Sequence, residues 1–255
     1  MALINQFNTI TKLKGVYNVR GLLKNPLILI FIGILAWHSF SGIQSVGDWF
    51  YSMILTLPGI IIGLSLHEFA HAKVANMLGD DVPKLQGRVS LNPAAHIDIL
   101  GLFAIIFIGF GWGKPVEINP LNFKHKRRDS FLVSIAGVTM NFIVAVIFAF
   151  IIFLIVKFSG NDLLGTGFGE SLIRVLQYTI WINLVLMVFN LLPVPPLDGF
   201  GIVTEIFNLE KYSWYQIVYS NGFVILMILL IFDVVSKILT PAVTSIYGFI
   251  MNLFF

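Results

Sequence analysis

Long apolar runs separated by short polar breaks dominate the chain. The first run, 26–40, is short for a membrane crossing, which takes about 20 residues, but with its flanks it reaches that length. The second spans 49–78, with Gly79 placed to stop a helix there. A long connection follows, 80–128, rich in Gly, Pro, Asn and charge. It holds one apolar stretch, 97–110, which is short and interrupted by glycine, so it is predicted to be re-entrant or to form buried strands. A third span is predicted over 130–156. A fourth covers 171–192 and ends in Pro193, Pro195 and Pro196. A fifth covers 216–239, where Thr240 and Pro241 break it. The apolar tail, 242–255, is expected to lie in the interface or to turn back as a short sixth helix. The pattern therefore predicts an all-α polytopic membrane protein. It has about five to six transmembrane helices, with a re-entrant or short β segment between the second and third.

Composition agrees. Hydrophobic residues make up 57% of the 255, charged residues 11%, and mean hydropathy is +0.90. Soluble domains carry about 25% charged residues, so this chain has too few charges to cover a water-facing globule. That excludes a soluble enzyme, a disordered protein and a nucleic-acid reader with a basic face. The length suits a single integral-membrane domain, 1–255, with no internal repeat. With no cysteine there is no disulfide, thiolate zinc site or Cys nucleophile. The basic stretch before the first run is long, and no A-x-A-like cleavage site follows it, so a signal peptide is not expected. Placing the N-terminus in the cytoplasm puts thirteen of the sixteen basic residues on that side; Lys157, Arg174 and Lys237 fall outside it. The positive-inside bias thus predicts a multi-pass cell-membrane protein with a cytoplasmic N-terminus.

Ionisable residues inside a span are costly unless they are paired, so they mark function. The second span contains LSLHEFAHA, 64–72. His67 and His71 are four residues apart and share one helix face, so both imidazoles can reach one metal ion. Glu68 points beside that ion, where it can take a proton from water. This is the His-Glu-x-x-His arrangement of two ligands and a general base. A catalytic zinc usually has a third protein ligand and one open position. His38 lies at the wrong end of its span, and His125 sits in the solvated cluster KHKRR. His96 and Asp98 are possible. The strongest candidate is Asp198 in NLLPVPPLDGF, 190–200, because the prolines break the fourth helix near the same depth. The chain can then turn a carboxylate inward there, and Gly199 permits an unusual backbone.

HEFAH, AGVTMN and NLLPVPPLDG, in that order on successive spans, resemble the site-2 protease family of intramembrane zinc metalloproteases. GRVSLNPAAHID, GWGKPVEINPLNF and KRRD resemble its small prokaryotic members, without a PDZ or CBS module. The likeness covers about residues 55–210. It implies one Zn2+ per chain on His67, His71 and Asp198, with Glu68 as catalytic base. It also implies that Asn141, in the family's A-G-P-x-x-N segment, contacts substrate or the oxyanion, and that Asn190 matches a motif asparagine. Val138 stands where the family has proline, which puts the local helix shape in question. Both asparagines have a plainer reading as interhelical hydrogen-bonding groups, and Asn183, which matches no motif, is read as structural. Arg88 and the 124–128 cluster are read as a face for anionic lipid heads.

The metal lies roughly 10–15 Å inside the cytoplasmic end of its helix at 1.5 Å per residue, so water enters from that side. An unwound substrate helix needs partners for its backbone. GWGKPVEI, 111–118, alternates enough to form a short edge strand, with the Val116 N–H among the donors offered to substrate. The expected partners are the bilayer and single-span membrane-protein or signal-peptide substrates, with no nucleic acid. A metal-binding membrane chaperone or carrier that does not cleave is the alternative, but it would not require Glu68 beside the ligands. A di-iron hydroxylase needs more histidines than the five present. A zincin with a downstream Glu ligand would have to use Glu205 or Glu210, which lie beyond Asp198.

Overall fold

A helix of 32 residues, α1 (Val46–Met77), carries the His-Glu-x-x-His segment. It starts at Ser45, whose hydroxyl accepts the Asp48 N–H at 3.3 Å and so satisfies one of the donors a helix start leaves free. It ends at Leu78, followed by Gly79 at φ +106°, where the sequence placed a stop. The computed structural model describes Gly33 and residues 45–109, 111–158 and 165–255. The basic N-terminal arm and, apart from Gly33, the predicted first span lie outside the described residues.

The further helices of six residues or more are α2 (Ile99–Ile108), α3 (Lys126–Phe158), α4 (Gly167–Asn190), α5 (Asp198–Phe207), α6 (Tyr215–Ser220), α7 (Gly222–Ile231) and α8 (Val234–Asn252). Among the described residues, α1, α3, α4 and α8 are long and apolar enough to cross a membrane. These and the family likeness make this a membrane protein. The predicted second, third and fourth spans coincide with α1, α3 and α4.

Three features of the sequence reading change. The described residues contain no strand. The apolar stretch at 97–110 is the helix α2, with Asp98 capping it through the Gly101 N–H at 2.8 Å, and 111–119 runs without a ladder. A short apolar run has no periodicity to separate helix from strand, and the cap decides. The expected fifth span, 216–239, is interrupted twice. The Asn221 amide bonds back to the Ile217 carbonyl at 2.8 Å, ending α6, and Asp233 takes a left-handed conformation between α7 and α8. Pro241 breaks nothing; it sits inside α8, which absorbs most of the tail.

Small residues bring the three central helices together. A Cβ on Gly59 would lie 2.8 Å from the Thr179 Cα, and one on Gly63 would lie 2.6 Å from a Leu186 methyl. The backbones of α1 and α4 approach at that level because nothing larger than hydrogen fills the gap. Ala145, Ala149 and Ile152 of α3 meet Ile180, Leu184 and Val188 of α4, with Val243 and Ile250 of α8 beside them. Outward-facing Ile143, Ile147 and Phe150 on α3 remain exposed, as lipid-facing positions do. α3 runs unbroken through Val138, which is buried, so the helix is continuous where the family has proline.

Candidate metal centre

His67 and His71 face α3 at a point where α3 carries no side chain. A Cβ on Gly137 would lie 2.4 Å from His71 Nε2 and 2.5 Å from His67 Cε1. The glycine of AGVTMN therefore makes room for the two imidazoles. Each ring is held by its other nitrogen. His71 Nδ1 lies 2.7 Å from the Val133 carbonyl oxygen, which can only accept, so Nδ1 carries the proton. His67 Nδ1 lies 2.7 Å from Asn141 Oδ1. The Asn141 amide is oriented by its NH2, which donates to the Gly63 carbonyl at 3.1 Å and to Asn183 Oδ1 at 3.0 Å. Asn183 in turn donates to the Thr179 carbonyl at 2.8 Å. Both imidazoles thus turn bare Nε2 lone pairs to one point.

Asp198 arrives from the far side. After α4 ends, residues 191–197 turn, and Asp198 opens α5. Gly199 serves a different purpose from the one read in the sequence. Its backbone is ordinary helix, but a Cβ there would lie 2.2 Å from the Leu191 carbonyl oxygen. What is required is close approach of α5 to the end of α4. Asp198 Oδ2 lies 3.2 Å from His67 Nε2 and 3.2 Å from His71 Nε2, and the two Nε2 atoms are 3.1 Å apart.

With both imidazoles neutral and their protons on Nδ1, three lone-pair atoms at that spacing repel one another, and the buried Asp198 Oδ2 has no hydrogen-bond donor. A cation at the centre removes the repulsion. Ligand bonds of about 2.0–2.1 Å in a tetrahedron give edges of roughly 3.3 Å, close to the separations here. The donor set fits zinc. It is the group of this kind among the described residues.

The other residues singled out in the sequence fall as follows. Glu68 is partly buried beside His67, and its Oε2 accepts the Val116 N–H at 3.0 Å. The N–H expected to meet substrate is thus turned to the expected base. Asn190 donates to the Leu186 carbonyl of its own helix at 2.9 Å. His96 is fully buried and away from the centre, with Nε2 at 2.7 Å from the Ser90 carbonyl oxygen. His125 is exposed. In the 124–128 cluster, Arg127 donates to the Glu205 and Ile206 carbonyls at the end of α5, and Lys126 pairs with Glu210 at 3.4 Å.

Arg88 differs most from its reading. It is not on a lipid-head face: it is 4% exposed and donates to the carbonyl oxygens of Lys114 and of Pro115, the latter at 2.7 Å. Burial pulls its pKa below the ordinary guanidinium range, while the carboxylates of Glu68 and Glu117 pull the other way. No local pattern signals this, because the partners lie 26 and 27 residues away. Asn183, read as structural, proves to be linked to the centre through Asn141. Its signal was a polar side chain in a span, four residues after Thr179.

Comparison with known proteins follows the same lines. A model of peptidase family M50 matches residues 165–229, the part that contains Asp198. A Bacillus subtilis (strain 168) protein, YwhC, carrying the provisional name of a zinc metalloprotease, is 37% identical over 202 residues, 79% of this chain and 90% of its own. Rip2 of Mycolicibacterium smegmatis, also provisionally named a zinc metalloprotease, is 29% identical over 223 residues, 84% of this chain and 82% of its own. No solved structure matches the chain.

Proposed function

The chain belongs to the site-2 protease family, peptidase family M50, and we propose that this zinc metalloendopeptidase cuts peptide bonds in or near transmembrane segments of membrane proteins. The observation that carries the reading is the convergence of His67 Nε2, His71 Nε2 and Asp198 Oδ2 within 4.8 Å of one another, next to Glu68. On this reading those three residues hold the zinc.

Bound there, zinc supplies a Lewis acid that polarises the scissile carbonyl and brings water within reach of deprotonation near neutral pH. Glu68 takes the proton from the attacking water and returns it to the leaving amine. The Val116 N–H engages one carboxylate oxygen of Glu68 and leaves the other for the water. Asn141, which the family likeness assigned to substrate or oxyanion, is proposed to act on His67 instead: both its amide atoms are committed. Asn190 is given no part in the reaction, because its amide serves its own helix. The run 111–118, neither helix nor strand, remains the proposed rest for an unwound substrate. There Val116 offers its carbonyl, which has no partner among the described residues, rather than its N–H.

His71 lies six residues before the end of α1, roughly 9 Å at 1.5 Å per residue. Water reaches it from the end where α1 finishes, α3 begins and α4 turns, taken as the cytoplasmic side. The proposed substrates are single-span membrane proteins and remnant signal peptides.

The test is zinc content together with cleavage of a generic single-span substrate, wild type beside Glu68→Gln. The variant is expected to keep zinc and lose cleavage. Near wild-type cleavage would remove Glu68 from the role of base.

A further inference from the structure

The geometry points to Arg88 as a positioning residue for Glu68, acting through the backbone of Lys114–Val116. The inference rests on Glu68 being the base. Three backbone positions in a row are pinned. The Lys114 N–H donates to the His96 carbonyl at 2.6 Å. The Lys114 and Pro115 carbonyls both accept from one nitrogen of the Arg88 guanidinium. The next N–H, that of Val116, donates to Glu68 Oε2 at 3.0 Å. Pro115 has no N–H to give and a fixed φ, so the angle between the pinned carbonyls and the Val116 N–H is stiff.

The segment contains no ladder that would hold it otherwise. Two glycines, Gly111 and Gly113, precede the pinned residues. Gly113 also passes close to the base, where an added Cβ would lie 3.4 Å from Glu68 Oε1. Without Arg88, residues 111–115 keep one hydrogen bond, from the Lys114 N–H to the His96 carbonyl, and the next backbone anchor along the chain beyond Val116 is the Asn119 N–H on Asp80.

A buried guanidinium is an expensive way to hold two carbonyls. Arg88 leaves its second terminal nitrogen, NH1, buried without a hydrogen-bond partner. A neutral donor would satisfy the same carbonyls without burying a charge. Where it stands, Arg88 fixes the Lys114 and Pro115 carbonyls and through them the Val116 N–H that aims the Glu68 carboxylate. Lysine would supply the charge, but as a flexible point donor without a planar fork.

The experiment uses the full chain in detergent, with a single-span substrate at varied concentration. It compares wild type, Arg88→Gln, Arg88→Lys, Glu68→Gln and the Arg88→Gln/Glu68→Gln double variant. Arg88→Gln is expected to keep its zinc and to lower kcat roughly 10–100-fold with KM little changed, the loss that follows misplacement of a reacting group by about an ångström. Arg88→Lys is expected to recover part of kcat. In the Glu68→Gln background the Arg88 change should cost nothing further, since no base remains to be aimed.

A kcat within about twofold of wild type in Arg88→Gln would overturn the inference. So would a raised KM at unchanged kcat, which would make Arg88 a substrate-binding residue. If Arg88→Gln does not fold, Arg88→Lys decides, and a wild-type kcat there overturns the role of the fork. Failure of the underlying reading looks different: Glu68→Gln would itself cleave, whatever Arg88 does.

Discussion

His67 and His71 reach the same point by unequal means. The Val133 carbonyl that holds His71 is backbone and cannot be mutated away, whereas His67 depends on a side chain, Asn141. Groups that fix a metal-binding imidazole typically contribute 10–100-fold in affinity. Asn141→Leu removes the acceptor for the His67 Nδ1 proton, so zinc affinity should fall by about that factor, as measured by competition with a chromophoric chelator. Unchanged affinity would mean that the contact at 2.7 Å is packing alone. Asp198→Asn should weaken zinc binding and cleavage together, since it removes the only negative charge in the donor set. His96→Ala should leave zinc stoichiometry alone, because His96 bonds Ser90. Zinc lost with His96 but kept without the Asp198 carboxylate would overturn the choice of third ligand. The convergence of the two histidines, with Glu68 beside them, was legible at this scale, because four-residue spacing on a helix is itself a geometry. The orienting groups were not. Asn141 was visible as a motif position, but which of its neighbours it serves depends on α1 and α4 meeting α3, and no local pattern encodes that.

Helices α1 and α3 meet around a missing side chain, which sets two effects of one substitution against each other. Gly137→Ala improves helix propensity, by up to about 1 kcal/mol in an exposed helix interior, but the added methyl would lie 2.4 Å from His71 Nε2. The ligands or the helix must shift. Zinc occupancy should fall while the metal-free variant melts no lower than metal-free wild type, read by metal analysis and thermal unfolding in detergent. Full zinc occupancy would show that the helices give way easily. Reading the elements from sequence worked where hydrophobic runs were long: α1, α3 and α4 lie within a few residues of the predicted spans. It failed where the run was short or interrupted by polar residues with local partners. The stretch 97–110 became helix α2 through its Asp98 cap. The backbone of 114–116, apart from the Val116 carbonyl, bonds Arg88, His96 and Glu68, where alternation had suggested a strand edge. The span expected over 216–239 is divided at Asn221 and Asp233, because side-chain bonding at one and a left-handed backbone at the other outweigh apolar content.

Across the whole molecule, the ends of α1 and α4 and the start of α3 share one side. His71 of α1 touches α3 at Val133 and Gly137, near the Lys126 end, and Asp198 follows α4. The metal centre therefore belongs to the face that carries Lys114 and the 124–128 cluster, and Lys211 lies just after α5 on the same side. α3 spans 33 residues, roughly 50 Å at 1.5 Å per residue, against about 30 Å of hydrocarbon. Part of it must project, and its first turn, Lys126 to Arg128, is charged and exposed. Positive charge retained on one side sets orientation, so this face is expected to be cytoplasmic. Single cysteines at Lys126 and at Lys211, in a chain with no native cysteine, should react with an impermeant maleimide only after the cytoplasmic side is opened. A cysteine at Asp162, in the connection between α3 and α4 and outside the described residues, should react from the outside in intact cells. The three positions decide together, because α3 alone separates Lys126 from Asp162. Labelling of Lys126 and Lys211 from outside, with Asp162 protected, would invert the molecule and place the water entry of the metal centre on the other face. Labelling of Lys126 and Asp162 from one side would mean that α3 does not cross, which its length and hydropathy speak against.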